Sequence, residues 1–239
     1  DNEEYDLAVV AGAGNSALVK RGFEIIRRIY FEWINELRRK NEKIRNPNEN
    51  EMYDIIDRIE RELMTRYSTL RELGIRTSAE IILATVTNEG KPLLYLFDHM
   101  GLANPLHENP GYAVLGHGEL TGARLLLTLL GYDPKKTYHW DHAVLPVFVI
   151  DVVSTVDPTV SPFNDPESSV YIRYNEQEKR VVLGPMTYDA FKGVKKSVQG
   201  RIQAVRLLWE LIEYARNEEF VIKVLENAFK EIKEKTNQD

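Results

Sequence analysis

Two stretches of helical periodicity, set back to back, restrict this chain more than any other feature. Leu18, Ile25, Ile26, Ile29, Trp33, Ile34 and Leu37 recur at steps of three and four residues. After Asn46-Pro47-Asn48 the same spacing resumes with Met52, Ile55, Ile56, Ile59, Leu63, Tyr67 and Leu70. Each set is the apolar face of one amphipathic helix, and Asn-Pro-Asn breaks the helix between them. The expected product is a hairpin of two long helices, ending near Gly74, whose shared stripe packs on another layer. β-rich segments on both sides can supply that layer. Tyr5 to Ala11 reads as a short buried strand bounded by Gly12 and Gly14, and Ala79–Thr87 with Leu93–Phe97 reads as a hairpin across Asn88-Glu89-Gly90-Lys91.

Tyr112–Leu115 is expected to be a further strand entering Gly116-His117-Gly118, followed by a helix from Glu119 to Leu130 that Gly131 and Pro134 stop. His139–Val156 is apolar on all sides, the pattern of a buried helix, with a kink expected at Pro146. Val170–Tyr174 and Arg180–Leu183 form a second hairpin. From Met186 the chain reads as helical to its end, with Trp209, Ile212, Phe220, Leu225 and Phe229 as its apolar face. Strands arriving as antiparallel pairs, with helices between the pairs, predict an α+β fold with helices outside the sheets. The division expected is a domain over residues 1–184 and a helical C-terminal extension over 185–239.

Composition removes several classes of function. There is no cysteine among the 239 residues, so disulfide scaffolds, thiolate metal sites and cysteine nucleophiles are excluded. A net charge of −6 argues against nucleic acid or an anionic membrane as a partner. The arginine pairs at 27–28 and 38–39 read as a solvated helix face. No apolar run approaches the roughly 18 residues that span a bilayer. With no signal peptide and no cysteine, a cytoplasmic protein is expected. The chain opens Asp1-Asn2-Glu3-Glu4 without a methionine, which points to a processed or partial polypeptide.

Gly12-Ala13-Gly14-Asn15-Ser16-Ala17 matches G-x-G-x-x-A, but a dinucleotide site also needs a short helix and a second parallel strand, and no strand follows before Ala79. No cofactor is expected. Two glycine turns between strand and helix suit close backbone approach or anion stabilisation. His117, between Gly116 and Gly118, is a candidate proton carrier or a structural turn residue. His139 and His142 flank Asp141 without an evident third ligand, so no metal is expected. Asp157, before Pro158, reads first as an aspartate that initiates a turn.

Four passages together resemble the β-type subunits of the proteasome. Val9-Val10-Ala11-Gly12-Ala13-Gly14-Asn15-Ser16-Ala17 is similar to that family's fourth-strand-to-first-helix passage. Leu93–Phe97 followed by Asp98-His99-Met100-Gly101 is similar to its strand ending in Asp-x-x-Gly. Tyr112–Leu115 entering Gly116-His117-Gly118 resembles its strand into a Gly-Ser-Gly turn, and Asp151–Val160 resembles the end of its fourth helix. The landmarks occur in the family's order over residues 5–175, and the tail after Leu183 lies outside them. The resemblance implies an αββα four-layer sandwich of the N-terminal-nucleophile hydrolases. It implies a threonine-type peptide-bond hydrolase whose nucleophile lies outside this chain, acting on peptide or protein substrates as a homo-oligomer. On this basis Gly12 is the oxyanion-donating glycine, Val10 a wall of the first specificity pocket, and Asp157 a polar group organising the nucleophile's surroundings. His117 and Val160 stand where the family places serines. That departure supports an alternative, a catalytically inactive structural subunit; ligation or transfer through the same acyl-enzyme is a third reading.

Overall fold

Two asparagines decide where the helical hairpin starts. In the computed structural model, which describes residues 7–133, 135, 143–175, 177 and 180–236, Asn15 Oδ1 accepts from the Ala17 and Leu18 amides at 3.0 and 3.2 Å. This opens α1 (Ser16–Arg39). Asn48 Oδ1 accepts from the Glu51 amide at 2.9 Å while the Glu51 carboxylate accepts from the Asn48 amide at 2.8 Å, a reciprocal cap that opens α2 (Glu49–Glu72).

The hairpin lies on a four-stranded antiparallel sheet, β1 (Ala8–Gly14), β2 (Ala79–Val86), β3 (Pro92–Phe97) and β4 (Ala103–Pro105), ordered in space as in sequence. Gly12 stands opposite Ile81, Val10 opposite Leu83, and Leu83 opposite Tyr95. With its period of two, the sheet turns Ala8, Val10, Ile81, Leu83, Leu93, Tyr95 and Phe97 towards the helices. Every residue of the two sequence stripes joins that core, with Leu18, Ile34 and Leu70 at its margin. Strand β4 was not foreseen. It exists because Asp98 folds the chain back: its Oδ1 accepts from the Met100 and Leu102 amides at 2.8 and 2.9 Å.

A second core gathers α3 (Arg124–Leu129), α4 (Val144–Ser154) and the first half of α5 (Tyr188–Ala215) beside the hairpin β5 (Val170–Asn175) and β6 (Arg180–Pro185). Leu127, Val147, Phe148, Val153, Val194 and Val198 are buried in it. Pro146 falls in the first turn of α4, where amides have no intrahelical acceptor, so the helix runs through it without the expected kink. Asp151 ties three segments together: Oδ2 meets Lys195 Nζ at 2.6 Å, and Oδ1 accepts from the Phe163 amide at 2.9 Å. Both side chains of the ion pair are largely buried. Asp151→Ala is therefore expected to cost about 2–3 kcal/mol in urea unfolding. A loss near zero would place the pair among screened surface contacts.

The structure corrects four local expectations. Gly12, Ala13 and Gly14 belong to β1, not to a turn after it, because their register with β2 continues to Ala79. Tyr112–Leu115 pairs with no strand among the described residues and instead crosses a cavity as irregular chain. The helix expected over 119–130 breaks at Gly122 (φ 150°) into a π-helical turn, Glu119–Ala123, and α3. The C-terminal stretch is two helices: Arg216 is left-handed (φ 50°) and ends α5, and Asn217 Oδ1 accepts from the Phe220 amide at 3.0 Å to start α6 (Glu218–Thr236). No described helix is long and apolar enough to cross a membrane.

Candidate active site

A cavity of about 820 Å³ opens on the side of β1 away from α1. Its walls are Ala11–Gly14 and Ile82 of the sheet, the Gly111–Gly118 segment, parts of α3 and α4, and Thr159 with Val160. Three passages singled out in the sequence thus converge here. A Cβ on Gly116 would stand 3.5 Å from that of Ala13, and one on Gly118 would stand 3.3 Å from Val160 Cγ2.

The hydrogen-bond parity of β1 sets what its glycines offer. The Asn15 amide donates to the Ser78 carbonyl at 2.7 Å, so Ala13, Ala11 and Val9 are the positions bonded to β2. Gly12 alternates with them, so its N–H and C=O point away from β2. Because β1 is the edge of the sheet among the described residues, no described strand pairs with it on that side, which borders the cavity. Both glycines are sterically required. A Cβ on Gly12 would lie 2.5 Å from Val19 Cγ1 of α1, and one on Gly14 (φ 101°) would lie 1.9 Å from the Ser78 carbonyl oxygen.

Val10 is not among the residues that line this cavity. It shares the helix-facing side of β1 with Ala8 and packs on the α1–α2 core, and the cavity lining from β1 begins at Ala11. His117 is exposed at the cavity, and its carbonyl oxygen lies 3.1 Å from Thr121 Oγ1, sharing that hydroxyl's one proton with Asp157.

Asp157 is buried, with three hydrogen bonds to its carboxylate. Oδ1 accepts from the Thr159 hydroxyl at 2.6 Å and the Thr159 amide at 2.9 Å; Oδ2 accepts from Thr121 Oγ1 at 2.8 Å. These bonds, the Thr159 hydroxyl foremost and the charge of His117 least, hold the carboxyl below its ordinary range. Asp157 does not line the cavity but fixes Thr159 and Val160, which do, and fastens them to the Gly118–Ala123 turn. Its stabilisation is complete above the unfolded carboxyl's pKa of about 4 and is lost as pH falls through the lower folded-state value. Asp157→Asn is expected to flatten the fall in melting temperature below about pH 4 and to lower the plateau above it. An acid limb identical to the parent's would leave Asp157 no part in acid stability.

Sequence reasoning missed Thr121, Thr159 and the pair Tyr112–Tyr132, whose rings meet edge to face at 5.5 Å in the cavity wall. Asp157-Pro158-Thr159 carried a signal, since an aspartate commonly accepts from the amide two residues on. Thr121 carried none, lying 36 residues from its partner. The walls are otherwise mostly apolar. No group of three His, Asp or Glu among the described residues could hold a metal ion, and His139, Asp141 and His142 lie outside them.

No family model matches the sequence, and no curated protein matches it. Among solved structures, Anbu from Hyphomicrobium sp. strain MC1 superposes with a TM-score of 0.56 at 13% identity, over 85% of this chain and 78% of that one. Its Gly-1 mutant gives 0.58 at 14% identity, over 86% and 80%. Eukaryotic HslV from Trypanosoma brucei fits more loosely, at 0.40 and 15% identity over 78% and 80%, and adds nothing to the argument. The likeness to Anbu shows the fold: this chain has a proteasome-like architecture.

Proposed function

We propose that this chain is a subunit of a proteasome-related hydrolase, built as the αββα sandwich, that holds an extended polypeptide along the free edge of β1. The observation that carries this reading is the Gly12 amide, turned away from β2 by register, with no described strand on its other side and an 820 Å³ cavity beside it. A polypeptide laid against that edge bonds through its main chain and sends an apolar side chain into the cavity. Its carbonyl oxygen accepts from Gly12. As charge develops on that oxygen during attack, a fixed N–H stabilises it without reorganising. Gly14, seated against Ser78, keeps the strand end rigid, and Asp157 holds the opposite wall through Thr159. The nucleophile in this reading is a threonine-type N-terminal residue outside this chain, and the assembly is a cytoplasmic homo-oligomer.

A second reading, a non-catalytic subunit on the same fold, has its own support. The Thr159 hydroxyl is tied to Asp157, His117 is exposed, and Val160 presents no hydroxyl. The full polypeptide, treated with a peptide β-lactone and with fluorogenic peptides, separates the two. Cleavage with one adduct on an N-terminal hydroxyl residue is expected. A peptide that binds beside β1 without cleavage or adduct would make the chain a binding subunit.

A further inference from the structure

Among the described residues that wall the cavity, the side chains with a titratable group are Tyr112, Tyr132 and His117. Tyrosines keep their protons through the neutral range, and burial pushes Tyr132 further up. Thr159 brings a hydroxyl, but that hydroxyl donates to Asp157 at 2.6 Å. Near neutrality the described wall can therefore exchange a proton at His117 alone, because imidazole is the side chain that ordinarily changes charge between pH 5 and 8. The turn that carries it is fixed on three sides. A Cβ on Gly116 would stand 3.5 Å from that of Ala13, the neighbour of Gly12, and one on Gly118 would stand 3.3 Å from Val160 Cγ2. Thr121 ties the far side of the turn to Asp157 at 2.8 Å. His117 is thus set between the Gly12 edge and the Val160 wall, with its side chain exposed.

We infer that His117 is the proton carrier of this site, a catalytic residue that acts on the peptide laid along β1. The inference rests on the hydrolysis reading above. The imidazole takes the proton of the attacking hydroxyl as that oxygen bonds to the peptide carbonyl carbon and the C=O electron pair moves onto the oxygen at Gly12. It then gives the proton to the departing amine nitrogen, which keeps the electron pair of the broken C–N bond. Water repeats the exchange on the resulting ester: its proton passes to the imidazole and from there to the released hydroxyl. The charged groups around His117 are few. Asp157, in the loop after α4, acts on it through charge, and Glu119, two residues along its own turn, is paired with Arg124. The adjoining residues of β1, Ala11–Gly14, carry no charge.

A pH–rate profile of the full polypeptide with a fluorogenic peptide tests it. Turnover should fall as pH drops from about 8 to about 5, where an imidazole gains its proton and can no longer accept one. His117→Gln should lose about 10²-fold or more in neutral solution and lose that acid limb too, with its melting temperature unchanged because the side chain is exposed. His117→Ala should lose as much and recover in part when free imidazole is added, a rescue that a purely structural ring would not permit. The α-amine of an N-terminal nucleophile is the competing base. If it carries the proton, His117→Gln keeps the limb whatever its rate, and the inference is overturned while the hydrolysis reading stands. A parent that cleaves no peptide at any pH overturns both.

Discussion

Gly14→Ala is expected to remove about 4 kcal/mol of stability, a large part of what holds a domain folded. The new methyl carbon would begin 1.9 Å from the Ser78 carbonyl oxygen and 2.7 Å from its carbon, on a residue whose φ of 101° an L side chain rarely adopts. Neither obstacle can turn aside, because both belong to backbone, and that backbone carries the Asn15–Ser78 hydrogen bond which aligns β1 with β2. Gly74→Ala is the control. Its φ is also positive, at 76°, but nothing lies within 4 Å, so only the conformational penalty of about 1 kcal/mol applies. Urea titration of both variants should separate them by about 3 kcal/mol. Equal losses would mean that β1 does not end against Ser78.

Gly12→Pro should lower turnover by about 10²- to 10³-fold relative to Gly12→Ala, with both made on a Val19→Ala background. The background matters because a Cβ on Gly12 meets Val19 Cγ1 at 2.5 Å, and that clash would otherwise perturb both variants alike. What distinguishes them is the N–H. Alanine keeps it; proline replaces it with a ring carbon at an edge position, whose outward N–H the sheet does not need. If the protein binds without cleaving, the same comparison is read as the affinity of an extended peptide, and proline should lose about tenfold. Indistinguishable alanine and proline variants would remove Gly12 from the site.

Much of the framework was legible because helical periodicity and caps are local. The stripes from Leu18 to Leu37 and from Met52 to Leu70 form the first core as read, since a 3.6-residue repeat leaves one face to bury whatever covers it. Asn15 and Asn48 begin their helices where polar side chains can reach free amides. The resemblance drawn from four short passages agrees with the fold seen in the Anbu comparison, and three of those passages meet at one cavity. The glycines of Gly12-Ala13-Gly14 announced close approach, although not what approaches.

Neighbours within a few residues set the α1–α2 pair and its apolar faces, most of the strands and the mixed α+β class. Tertiary structure alone decided which backbone groups are spent. Tyr112–Leu115 has the composition of a strand but joins no ladder among the described residues, and Gly12 keeps its amide from β2 because parity falls on its neighbours. It also decided that Val10 faces helices and that Asp157 reaches Thr121 across 36 residues. A hydrogen bond between distant segments depends on register and on who stands alongside, and a one-residue shift would turn every side chain of β1 to the opposite face. The chain carries that information only when folded.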